Sequence, residues 1–185
     1  MKIEKDSGVV VLPDGFVIEP DCSRSEFLES GVGASATRSH GGNAPWTCYQ
    51  LAGGRIEEHD LIVGLRFKHE ELCTVDLAVS LYPPDQRGWD HYSMEIELET
   101  KKLHESILEK LLGPASAVAK CEDSGRSDDA GLTDQEILVR KVTWPFAWGT
   151  VASIHDSKGG GTFIRVDYGQ DDSAGELVDF RGFLT

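Results

Sequence analysis

Two stretches of strict alternation limit the fold more than anything else in this chain. Leu61, Val63, Leu65 and Phe67 alternate with Ile62, Gly64 and Arg66. Cys73, Val75, Leu77, Val79 and Leu81 alternate with Thr74, Asp76, Ala78 and Ser80. Successive side chains of a strand point to opposite faces, so the pattern predicts strands with one buried and one wetter face. The polar link Lys68-His69-Glu70-Glu71 is too short for a crossover helix, which makes the two strands an antiparallel pair. Pro83-Pro84-Asp85 ends the second one.

Other elements assemble around this pair. Residues 9–12 and 16–18 are β-branched-rich and flank Pro13-Asp14-Gly15, which predicts a hairpin or a sharp strand corner. Ser23 with Glu26 forms a capping box for a short helix, Cys22 and Phe27 stand where a hydrophobic staple would, and Gly31 supplies the stop. Residues 46–51 read as a strand ending at Gly53-Gly54. The main helix is expected over 95–112, with Leu103, Ile107 and Leu111 as its apolar stripe and Leu108 and Leu112 beside it. Lys101 and Glu105 then fall on its solvated face, and Gly113-Pro114 stops it. The last third returns to strands: Ile137-Leu138-Val139, a strand from Phe146 to His155, a turn at 156–161, and Ile164, Val166 and Tyr168 alternating with Phe163, Arg165 and Asp167. The expectation is an α+β fold in a single domain over residues 1–185, an antiparallel β-sheet with two helices packed mainly on one face. Exposed loops are expected near 31–45 and 121–133, where small and polar residues cluster.

Charge narrows the partners. The 185 residues carry 18 Lys and Arg against 32 Asp and Glu, a formal net charge of −14. The imbalance is spread evenly: residues 1–60 hold 5 basic and 10 acidic groups, 61–120 hold 7 and 10, and 121–185 hold 6 and 12. Such a chain lacks the basic stripe that displaces counterions from duplex nucleic acid, and an anionic membrane surface repels it. No stretch approaches the roughly 18 apolar residues of a transmembrane helix. The start, Met1-Lys2-Ile3-Glu4-Lys5-Asp6, lacks the apolar segment of a signal peptide, so a cytoplasmic location is expected. Cys22, Cys48, Cys73 and Cys121 are spaced by 26, 25 and 48 residues, which is neither a zinc pattern nor a dense disulfide framework.

Catalytic constellations do not assemble in the sequence. His59-Asp60, His69-Glu70-Glu71 and His91 occupy strand ends or turns. His104 has Glu105 and Glu109 nearby but leucine at 108, where a metalloprotease helix needs a second histidine. These histidines read as solvated, and no metal or cofactor is expected. Ser153 and His155 share a strand face, without an identifiable acid or oxyanion hole to complete a triad. Cys73 reads as an inert core thiol. Lys158 precedes its glycines and a strand follows, so residues 156–161 form a hairpin turn and no phosphate-binding loop. The aromatics carry more. Trp89, Asp90 and Tyr92, with Glu95 and Glu97 just beyond, combine contact area with acidic steering and are the candidate partner-binding residues. The competing assignment is purely structural: the two rings pin the helix start, and the glutamates favour its dipole.

Two segments carry a resemblance. Trp148-Gly149, Ser153, Asp156, Lys158, Gly160, Thr162, Ile164, Val166 and Tyr168 form one, and Asp21, Arg24, Phe27, Leu28 and Ser30 the other. Together they resemble the immunity proteins of secreted bacterial toxins, including toxins delivered by type VI secretion, over about half of the chain. The resemblance implies a stoichiometric, non-enzymatic role: a cytoplasmic bacterial protein binds one cognate toxin and occludes its active site or substrate groove; the acidity of the chain adds the expectation that the toxin's surface is basic. It supplies no catalytic residues. Two alternatives from other classes stand beside it, a small hydrolase using His59, His91 or His155 with a neighbouring acid, and an assembly module pairing through an exposed strand edge.

Overall fold

The computed structural model describes residues 1–39, 44–83, 86, 89–119, 133–157 and 160–169. At the N-terminus β1 (Lys2–Ile3), β2 (Val10–Val11) and β3 (Val17–Ile18) form a small antiparallel sheet, and the expected hairpin turns at Gly15 with φ 90°. The helix α1 (Arg24–Glu29) follows with its capping box intact: the Ser23 side chain accepts from the Glu26 N–H, and Glu26 accepts from the Ser23 backbone. Ser30 ends the helix in an extended conformation, one residue before the glycine expected to do so. Phe27 packs from it against Tyr49 and Phe67, ring centroids 5.4 and 5.8 Å away.

The main sheet has eight strands, all antiparallel: β4 (Thr37–Ser39), β5 (Trp46–Ile56), β6 (His59–Lys68), β7 (Glu71–Ser80), β8 (Ala117–Ala119), β9 (Lys141–Phe146), β10 (Gly149–Asp156) and β11 (Gly161–Asp167). Two meanders, β4–β7 and β8–β11, are joined where β11 pairs with β7. Between the meanders the chain forms α2 (Met94–Leu112). The register defines the two faces. One row reads Leu51, Val63, Leu77, Ile164, Ser153, Val142, apolar but for one serine. The next, on the opposite face, reads Gln50, Gly64, Asp76, Arg165, Ala152, Thr143. There Arg165 grips Asp76 with two parallel hydrogen bonds of 2.8 and 3.0 Å, and Arg66 lies 4.6 Å over the Trp46 ring. The apolar face holds the core, with Val63, Val75, Leu77, Val79, Val151, Ile164 and Val166 all fully buried.

Several sequence expectations need correction. A third helix, α3 (Asp134–Val139), stands where strand was expected, closed by a second capping box of Thr133 and Glu136. The expected strand from Phe146 to His155 is broken at Ala147-Trp148, which turn the chain from β9 into β10. Gly149 makes that turn possible. Its φ is 154°, and a Cβ there would lie 2.0 Å from the Asp167 carbonyl oxygen. β5 runs past Gly53-Gly54 through an irregularity between Ala52 and Arg55. The 31–45 segment, expected as loop, contains a 3-10 turn at Gly33–Ser35 and β4, with 40–43 outside the described residues; of the loop expected over 121–133, residues 121–132 lie outside them and Thr133 is the α3 N-cap. Long-range ties close the fold: Trp148 Nε1 donates to the Lys5 carbonyl, Tyr168 Oη to that of Gly8, and Trp144 Nε1 to that of Gly113. No helix among the described residues is long and apolar enough to cross a membrane.

Candidate functional site

The functional question centres on α2. Its N-cap is Ser93, whose Oγ accepts from the Ile96 N–H, and Tyr82 braces that cap from the exit of β7: its hydroxyl accepts from the Ser93 N–H at 3.1 Å and donates to the Ser93 carbonyl at 3.2 Å. Gly113, with φ 82°, closes the far end.

The face α2 turns inward includes the expected leucines but is centred to one side of the expected stripe. Leu103, Ile107 and Leu111 are half-buried, while Glu97, Lys101, His104, Leu108 and Leu112 are buried. Lys101, expected in solvent, is 0% exposed. Its Nζ donates to the Ser153 carbonyl at 2.6 Å and to Ser153 Oγ at 3.0 Å, and forms an ion pair with Glu105 at 3.3 Å. Glu105 also accepts from Arg140, which follows α3, at 2.6 Å. Burial drives the Lys101 pKa down to about 8, against the pull of Glu105. Continuing the Leu112–Leu108 stripe back by turns of helix arrives at 104, 101 and 97. That spacing is legible in the sequence, but the polar identity of those residues hides it.

Two histidines expected in solvent are also inside. His104 Nε2 accepts from the Val79 N–H at 3.0 Å, two residues beyond the last pairing of β7 with β11, so it takes a donor the ladder leaves over. With Nε2 accepting, the proton of the neutral ring resides on Nδ1. Burial lowers the His104 pKa to about 3 and that of His155 to about 4, so both are neutral at pH 7. His155 Nδ1 lies 2.9 Å from Thr162 Oγ1, its cross-strand neighbour, and 3.8 Å from Glu97 Oε2. Ser153, His155 and an acid therefore do share one face, as the strand spacing allows. Their contacts run elsewhere: the Ser153 hydroxyl is held by Lys101, and the His155 ring by Thr162.

Beside this cluster a cleft opens between the exit of β7, the first turns of α2 and the β10–β11 turn. Ile62, Ala78 and Phe163 supply apolar wall, and Tyr82, Glu97 and Thr100 the polar end. Its enclosed volume is about 70 Å3, and it continues into open solvent at its mouth. Burial raises the Glu97 pKa, partly offset by its hydrogen bonding with Thr162 and Tyr82. Burial likewise pushes Tyr82 up to about 12.

The candidate partner-binding residues divide. Asp90 and Glu95 are exposed, Tyr92 is 40% exposed, and beside them Met94, not singled out from the sequence, is 48% exposed. Trp89 sits in the 3-10 turn Trp89–His91 that precedes the cap. Glu97 departs from the set: at 4% exposure it faces the sheet, because it lies on the same stripe as Lys101 and His104. Of the remaining sequence candidates, His59 lies at the start of β6, 3.8 Å from an exposed Glu58, His91 is exposed, and Cys73 is fully buried in β7. Among the described residues no group of three or more His, Cys, Asp or Glu side chains is arranged to hold a metal ion. Comparison of the chain with protein-family models, with curated proteins and with solved structures finds no match.

Proposed function

We propose that this protein is a stoichiometric, non-enzymatic inhibitor: a cytoplasmic immunity protein that binds a basic cognate toxin and occludes its active site or substrate groove. In this reading the helices cover one face of the sheet, and the entrance to α2 is the docking surface. The observation that carries it is the side-by-side exposure of Tyr92 and Met94 among Asp90 and Glu95. An aromatic ring and a flexible thioether give contact area with little ordering cost, and the surrounding carboxylates steer a cationic partner. The net charge of −14 extends that steering over the whole molecule.

The test is binding to, and neutralisation of, the product of the adjacent gene, since immunity genes stand beside their toxins. A one-to-one complex that protects against the toxin is expected. Combined Tyr92→Ala and Met94→Ala substitution weakens it by at least about tenfold, the loss of one hot spot. Absence of binding by every neighbouring gene product, or binding indifferent to the double substitution, refutes the proposal.

A further inference from the structure

The cleft at the foot of α2 is independent of that docking surface and carries a different inference. Its polar end is incomplete. Glu97 is 4% exposed, and although its carboxyl has hydrogen bonds with Thr162 and Tyr82, its Oε2 finds no partner among the described residues; Thr100, one turn away on the same wall, is 4% exposed with its Oγ1 likewise without one there. Buried polar atoms are almost always satisfied, and two orphans converging on one cavity are a departure that a bound group would remove. The partner missing at a Glu97 carboxylate is a donor, since a carboxylate only accepts, and the Thr100 hydroxyl is able to accept from the same group. Among the described residues Glu97 also has no Lys or Arg partner. His155 Nδ1, 3.8 Å from Glu97 Oε2, belongs to a ring that burial holds neutral. Lys101, one turn further along α2, is turned to Ser153 and Glu105. The other acid on the cleft wall, Asp76, is fully engaged by Arg165. The opposite end of the cavity is apolar, walled by Ile62, Ala78 and Phe163.

We infer that this cleft binds a small amine: an apolar body against Ile62, Ala78 and Phe163, and a protonated nitrogen donating to Glu97 Oε2 and Thr100 Oγ1. An ammonium supplies charge and donors together, which a neutral alcohol does only in part and a carboxylate does not. The apolar walls shield that pair from water and thereby strengthen it.

Three probes of one shape test the assignment on the full chain by calorimetric titration: phenethylammonium, phenethyl alcohol and phenylacetate. The ammonium is expected to bind at least about tenfold more tightly than the alcohol, with phenylacetate weakest. Glu97→Gln, nearly isosteric, is expected to erase the preference for the ammonium while retaining the alcohol. Ala78→Phe, which leaves Glu97 in place and fills the apolar end, is expected to weaken the ammonium and the alcohol alike. Equal binding of all three probes to the unmodified protein, no binding of any, or a preference that survives Glu97→Gln overturns the inference. The comparison among probes uses no variant, so a variant that fails to fold leaves the test decisive.

Discussion

Replacing Lys101 with methionine isolates the energetics of the helix–sheet contact, because methionine keeps most of the volume and removes the charge together with its hydrogen bonds to Ser153. Lys101 titrates near 8 in the folded protein, against an ordinary lysine value of 10.5. At 1.36 kcal/mol per pKa unit, the folded state carries a penalty of about 3 kcal/mol for holding the ammonium at pH 7. The sign follows from proton counting. Between pH 8 and 10.5 the unfolded chain binds the proton and the folded chain has released it, so this group's contribution to stability rises with pH across that window. Cys48 and Tyr82, pushed up to about 11 and 12, act in the opposite sense over alkaline pH, because they hold protons longer when folded. They are common to both proteins and cancel in the difference.

Urea unfolding followed by tryptophan fluorescence, with reductant, gives that difference at pH 7, 8, 9 and 10. Wild-type stability minus that of Lys101→Met is expected to grow by about 2–3 kcal/mol from pH 7 to pH 10. At pH 7 the substitution itself is expected to cost no more than about 2 kcal/mol. It leaves the Ser153 carbonyl without its donor, but it relieves the buried charge, and Glu105 keeps Arg140. A difference flat to within about 0.5 kcal/mol over that pH range refutes the reasoning, since Lys101 would then titrate as it does in water.

Three further outcomes are expected. Glu105→Leu removes the acid shared by Lys101 and Arg140, leaving two enclosed cations, and is expected to cost roughly 3–5 kcal/mol by urea denaturation, more than Lys101→Met at pH 7. Gly149→Ala forces a Cβ onto the Asp167 carbonyl oxygen at 2.0 Å and is expected to cost more than about 1 kcal/mol, visible as a lower urea midpoint. The ring resonances of His104 and His155 are expected to stay flat from pH 8 down to 5.5, and stability is expected to fall as pH drops below 6.5, where the unfolded imidazoles take protons that the folded ones refuse. Titration of either ring in that interval by NMR refutes the buried placement.

The sheet was the most legible part of the chain because its buried rows are written in apolar residues at period two. Leu61 to Phe67 and Val75 to Val79 carry the pattern, and the register follows it up to a shift between Arg66 and Phe67. Capping chemistry was equally legible at Ser23 and Glu26. The same signal at Thr133 and Glu136 marks α3, where the short apolar run Ile137-Leu138-Val139 suggested a strand instead. Short apolar runs do not distinguish the two periods, and the cap is the better guide. The candidate site was least legible. Reading α2 by hydrophobicity selects Leu103, Ile107 and Leu111, whereas the sheet receives a stripe whose upper half is Glu97, Lys101 and His104. Nothing local announces that a lysine will be enclosed; its partners lie 52 residues away at Ser153 and, through Glu105, at Arg140.

That polar stripe also fixes where α2 can sit along its own axis. A helix resting on leucines alone is able to slide by a turn at little cost, since one leucine replaces another. Here the residues one turn either side of Lys101 are Glu97 and Glu105. A slip of about 5.4 Å in either direction brings a carboxylate against the Ser153 carbonyl oxygen, acceptor facing acceptor, in the place where an ammonium now donates. The acid–base–acid order along the helix works as a key with one position on β10, while His104 fixes the same helix to β7.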